Sequence, residues 1–117
     1  MLTKTQIGVL VTLKEAEERE DRGEAIPEDY SEAEIVCDGL TCYLGDRPIS
    51  WRTVKALLEV VAISDRSITG DSGRIFMIND VGRSITRRPE LADEVAASLY
   101  TGQSVTIIDD RIVPLKD

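Results

Sequence analysis

Residues 45–85 read GDRPISWRTVKALLEVVAISDRSITGDSGRIFMINDVGRSI, and their order decides the fold. Asp46-Arg47-Pro48-Ile49 reads as a turn and Ser50 as the cap of a helix over 51–62. Val54, Leu57, Leu58 and Val61 give that helix an inward stripe, with Trp51, Arg52, Lys55 and Glu59 on the other side or its edge. The spacing then predicts two strands, near 66–69 and 74–78, joined by the turn formers Gly70-Asp71-Ser72-Gly73. Asn79 or Asp80 caps a further helix that runs to Arg87.

The same stretch is the basic part of an acidic chain. Eight cations (Arg47, Arg52, Lys55, Arg66, Arg74, Arg83, Arg87, Arg88) face four anions (Glu59, Asp65, Asp71, Asp80), a local charge of +4. Residues 1–46 carry −8 and residues 89–117 carry −4, leaving the whole chain at −8. The mean charge disfavours a nucleic-acid partner, but its distribution favours one.

Working outward, Ile7, Leu10, Val11, Leu13 and Ala16 predict a first helix over 3–22 whose acidic end, Glu15 to Glu20, is solvated. Gly23 stops it, and a polar loop with Pro27 follows. Ser31-Glu32-Ala33-Glu34 resembles a capping box. Ile35, Val36, Gly39, Leu40, Tyr43 and Leu44 then predict a second helix closed by Gly45, at the cost of an interior glycine. Beyond Pro89, Leu91, Ala92, Val95, Ala96 and Leu99 predict a helix ending at Gly102. The last segment, 105–113, reads as two short strands around Asp109-Asp110.

The ordered pieces resemble the winged helix-turn-helix transcription regulators of archaea and bacteria. They are Arg47-Pro48-Ile49-Ser50-Trp51-Arg52-Thr53-Val54, Leu57-Leu58, Gly73-Arg74-Ile75-Phe76-Met77-Ile78 and Asp80-Val81-Gly82-Arg83. In that family the first piece opens the recognition helix, the third is the returning wing strand, and the fourth begins the helix after the wing. The likeness covers 3–88, with a longer, proline-bearing turn before the recognition helix and one arginine near the wing tip. It implies an α+β, mainly α fold: a winged helix-turn-helix domain over 1–88, with a C-terminal helix and short hairpin over 89–117 in the same compact domain.

The implied function is sequence-specific binding of double-stranded DNA, with transcription regulation as its purpose. A helix fits the major groove, where its first residues meet base edges. Here those are Trp51, Arg52 and Lys55, with Ser50 and Thr53 near the backbone. Arg47 in the turn and Arg74 at the wing are placed for phosphate or the minor groove. Each has a plainer alternative: Trp51 as a core-edge residue, Arg52 and Lys55 as solvated cations, and Arg83, Arg87 and Arg88 as partners of the acidic first helix. A homodimer through Leu91, Val95 and Leu99 is expected, unless that face closes the chain's own core. The alternative function is a protein-interaction module that uses its acidic faces.

Composition narrows the remaining classes. No histidine is present, which removes the commonest general base and metal ligand. Gly70-Asp71-Ser72-Gly73 copies a serine-protease string without the base it needs. Cys37 and Cys42, five apart on a predicted helix, should diverge as reduced thiols, and Asp109-Asp110 reads as a solvated turn. The chain is therefore expected to be no enzyme and to need no cofactor or metal. No apolar run approaches the roughly 20 residues that span a bilayer, and the N-terminus lacks the order of a signal peptide, so a cytoplasmic location is expected. Four lysines beside ten arginines and 22 acids suit either a halophile or an ordinary acidic protein. Dialysis from molar KCl into dilute buffer separates the two. Loss of the far-ultraviolet helical signal supports the halophile, and an unchanged spectrum rules it out.

Overall fold

The computed structural model describes residues 2–23, 32–67, 73–102 and 105–114. It is an α+β fold with four helices and a five-stranded antiparallel sheet. The first helix, α1 (Lys4–Asp21), starts in a capping box. Thr3 Oγ1 accepts from the Gln6 N–H, and Gln6 Oε1 accepts from the Thr3 N–H. Val9, Leu10, Leu13 and Ala16 are its buried stripe, as the periodicity predicts.

Residues 35–49 overturn the expected second helix. Strands β1 (Ile35–Asp38), β2 (Thr41–Leu44) and β3 (Arg47–Ile49) form a meander there. The helical reading had to count Gly39 as apolar and to leave both cysteines off the stripe. The period that wins is two: Ile35 and Cys37 on β1, and Cys42 and Leu44 on β2, are all buried while their neighbours are exposed. Gly39 and Gly45 are hairpin turns rather than helix interior and cap. Each opens a two-residue loop, with φ of +62° and +63°. Asp46-Arg47-Pro48-Ile49 is likewise half turn and half strand, and Pro48 is tolerated because β3 is an edge strand.

The cysteines follow from this correction. Cys37 and Cys42 are direct cross-strand partners with Cα atoms 4.1 Å apart, and they are joined as a disulfide. Opposite registers on a hairpin bring together side chains that a helix would have separated.

Helix α2 (Trp51–Glu59) connects the two edges of the sheet, whose order is β3-β2-β1-β5-β4. It is shorter than the expected 51–62 because a full Schellman motif ends it. The Ala62 N–H bonds to the Leu57 carbonyl and the Val61 N–H to the Leu58 carbonyl. Val61 therefore holds the left-handed position, φ 55°, that glycine normally fills. The hairpin after α2 is β4 (Ile63–Asp65) with β5 (Arg74–Ile78), so its first strand lies earlier than the expected 66–69. Its tip, residues 68–72, lies outside the described residues.

One core fills the space between the sheet and the helices. Ile35, Leu44, Phe76 and Ile63 from the sheet meet Leu10 and Leu13 of α1 and Val54 and Leu57 of α2. The opposite sheet face carries exposed Val36 and Tyr43, which are cross-strand partners. Helix α3 (Asp80–Arg87) packs on α1, and α4 (Leu91–Tyr100) sends Leu91 and Val95 into the same core. The C-terminal hairpin, β6 (Val105–Ile108) and β7 (Arg111–Pro114), turns at Asp109-Asp110 as expected, both residues with positive φ. It packs against α3 and α4.

The tightest joint lies where α3 begins. Asn79 Oδ1 accepts the Gly82 N–H at 3.0 Å, capping α3. Its Nδ2 donates to the Val61 carbonyl at 2.6 Å and to Ser64 Oγ at 2.9 Å. A Cβ on Gly82 would overlap the Ala62 carbonyl oxygen and come within 2.7 Å of Ile78 Cγ1. At Gly8, inside α1, an added Cβ meets nothing within 4 Å. The two glycines should therefore respond oppositely in urea unfolding. Gly82→Ala is expected to cost about 3 kcal/mol, because backbone has to move. Gly8→Ala should stabilise by about 1 kcal/mol through helix propensity. Equal responses would show that the α3 joint is not tight.

Candidate functional site

The seven residues expected to meet DNA fall into three settings. Arg47, Arg52 and Lys55 are exposed and make no ion pair among the described residues. Arg52 and Lys55 lie one turn apart on α2, on the side away from buried Val54 and Leu57, and Glu59 ends their row. Arg47 precedes them on β3, within five residues of Arg52.

Ser50, Thr53 and Trp51 hold the helix itself. Ser50 Oγ accepts the Thr53 N–H at 3.2 Å and lies 3.0 Å from Thr53 Oγ1. Thr53 is buried, so its side chain serves the cap rather than an exposed surface. Trp51 is half-buried and packs against the rim of the core, the core-edge alternative weighed for it.

Arg74 stands in a third setting. Its Nη2 donates to Asp65 Oδ2 at 2.9 Å, and its guanidinium lies 5.1 Å from the Phe76 ring centroid. Ser67 fixes the other end of the pair, donating from its N–H at 2.8 Å and its hydroxyl at 2.5 Å to Asp65 Oδ1. These Ser67 hydrogen bonds, followed by Arg74, lower the Asp65 pKa to about 2. Arg74 is thus a neutralised strut between the two strands of the hairpin.

Comparison with protein-family models, curated protein sequences and solved structures returns no match to this chain.

The other arginines of the basic segment are also engaged. Arg83 bridges Glu17 of α1 and Asp80, both at 2.7 Å, which is the pairing with the first helix that the charges suggested. Arg87 and Arg88 instead turn to the C-terminal hairpin. Arg87 holds Asp110 with two nitrogens, Nη2 to Oδ1 at 2.6 Å and Nε to Oδ2 at 2.9 Å. Ser84 Oγ adds a bond to Asp110 Oδ1 at 2.9 Å, and Arg88 Nη1 donates to the Asp110 carbonyl at 2.9 Å. Arg87 and Ser84 lower the Asp110 pKa to about 2, and Asp110 raises that of Arg87. Sequence reading missed Asp110 because its partners lie more than 20 residues away. The only local signal was an Asp-Asp turn.

The expected dimer residues are placed differently from one another. Leu91 and Val95 are fully buried in the chain's own core, while Leu99 is 36 % exposed and neighbours the exposed Tyr100. No helix among the described residues is long and apolar enough to cross a membrane.

Asp65 and Asp110 both titrate below their ordinary value of 3.8, so their ionised forms favour the folded state. That contribution is complete above about pH 4 and is lost as the pH falls towards 2. Hydrogen exchange near neutrality isolates the Asp110 part. Asp110→Ala is expected to speed exchange of amides in 105–114 and leave β4 and β5 protected. Unchanged protection of the hairpin would mean that Asp110 does not hold it.

Proposed function

We propose that the chain binds double-stranded DNA as a sequence-specific regulator, with α2 lying in the major groove. The observation that carries this reading is the sorting of its cations. Arg74, Arg83, Arg87 and Arg88 are all paired with carboxylates, whereas Arg47, Arg52 and Lys55 stay exposed without one at the start of α2. In a chain of net charge −8 with 22 acids, three neighbouring unpaired cations fit a polyanionic partner. A helix followed directly by a two-stranded hairpin also keeps the order of a winged helix, with α2 as reader and β4–β5 as wing. The β2–β3 pair stands where the preceding helix of that motif was expected, so α2 would be carried by a sheet.

Within this reading Arg52 supplies the base contact, by a bidentate pair to guanine, and Lys55 and Arg47 meet phosphate. Arg74, tied to Asp65, braces the wing. Selection of bound sequences from random duplex DNA, in dilute buffer and in molar KCl, tests the proposal. One enriched motif is expected, lost in Arg52→Ala/Lys55→Ala and retained in Arg88→Ala. For that motif the double variant should bind at least about tenfold more weakly, and its log–log salt slope should shrink by about 2. A folded protein that enriches nothing at either salt would sink the reading and favour a protein partner.

A further inference from the structure

A groove of about 510 Å³ runs between the first half of α1 and the β3–α2 junction. Its α1 wall is Thr5, Gly8 and Thr12, and its other wall includes Arg47, Ile49 and Ser50. That volume falls in the range of roughly 300–1,000 Å³ typical of small-molecule sites.

Three features give the groove a chemical preference. Arg47 is a cation without an ion pair among the described residues, so its guanidinium fork is available to a planar anion. The rim is hydroxylic: Thr12 Oγ1 donates to the Gly8 carbonyl at 3.0 Å and keeps its lone pairs, and Ser50 Oγ lies beside it on the opposite wall. Between them the lining is apolar, from Val9, Pro48 and Ile49. Gly8 keeps the α1 wall low. It is exposed, its added Cβ would meet nothing within 4 Å, and no positive φ requires it, so packing within the chain does not explain a glycine there.

We infer that this groove binds a small monocarboxylate with a compact apolar body. One guanidinium forms two parallel bonds to one carboxylate and neutralises it. A multiply charged phosphate would leave excess negative charge on a surface that is already acidic. The apolar body lies on Val9 and Ile49, over the space that Gly8 leaves open. Arg47 and Ser50 also belong to the proposed DNA-facing set, so an acid in the groove would compete with the duplex. That consequence rests on the DNA reading; the binding itself does not.

The test uses the full chain without DNA. Amide spectra of the isotope-labelled protein are followed during titration with benzoate and isovalerate, with benzamide as the uncharged control. At least one acid should shift the Gly8, Thr12 and Ser50 amides saturably, with a dissociation constant on the order of 1 mM. Benzamide and the Arg47→Gln variant should each bind at least about tenfold more weakly. Gly8→Leu, which improves helix propensity while filling the groove, should abolish the shifts. Three results would overturn the site: no saturable shift with either acid, equal binding of benzamide, or indifference to Arg47→Gln. Displacement of duplex DNA by the bound acid is then measured separately, and its absence would bear on the DNA reading alone.

Discussion

Asn79 touches three parts of the chain at once, and the rest of the arrangement depends on where it stands. Its side chain caps α3 through Gly82, accepts no substitute at that joint, and donates back to the Val61 carbonyl and the Ser64 hydroxyl. The Ala62 carbonyl meanwhile receives the Asn79 N–H at 3.3 Å and lies against Gly82. So the end of α2, the start of the β4–β5 hairpin and the start of α3 share one small set of polar contacts. Val61 completes it in a conformation costly for a β-branched residue. Such a conformation persists only where its surroundings over-determine it, and here both Schellman bonds and the Asn79 amide do so. The direction of α2 relative to the hairpin is therefore set by backbone hydrogen bonds and a missing Cβ. Shape complementarity of side chains is secondary there.

How much of this was legible depends on the range of the signal. The caps at Thr3, Ser50 and Asn79 and the Asp109-Asp110 turn were readable because a cap or tight turn involves residues no more than about four apart. The α1 and α4 stripes were readable for the same reason. Residues 35–45 failed because a short segment with glycine at two points satisfies both periods. Ile35, Val36, Leu40, Tyr43 and Leu44 fit a helical face, while Ile35, Cys37, Cys42 and Leu44 fit two strands. Only pairing with β5, where Ile35 lies opposite Phe76, decides between them, and that partner is 41 residues away along the chain. The cysteine reading failed with it, since whether two side chains five apart meet or diverge depends on the element that carries them.

The candidate interface was legible as a set of charges but not as a surface. Sequence could count eight cations against four anions between Arg47 and Arg88. It could not foresee that Asp65, Glu17 and Asp110 would take Arg74, Arg83 and Arg87, because two of those pairs join distant elements. Burial did the same for the uncharged members, turning Thr53 inward and Trp51 to the core rim. The fold thus reduces a broad basic segment to a short one at the start of α2. Exposed ion pairs contribute little stability each. Their larger effect here is on the field, since each leaves one fewer cation to attract a polyanion.

That reduction also bears on how strongly so few cations can act. Three phosphate or base contacts give a modest electrostatic term, and it weakens steeply with salt, roughly as the number of neutralised phosphates. In a dilute medium the acidic flanks, −8 over 1–46 and −4 over 89–117, would oppose approach to DNA. In molar salt the Debye length is only about 3 Å, so that opposition fades together with the attraction. Affinity at high salt would then rest on short-range contacts such as a bidentate Arg52–guanine pair, which lies within the screening distance. An acidic chain with few unpaired cations is therefore poorly suited to binding DNA indiscriminately. Any duplex affinity it has should depend on sequence more than on charge, and the rigid joint at Asn79 and Gly82 supplies the fixed helix that such readout requires.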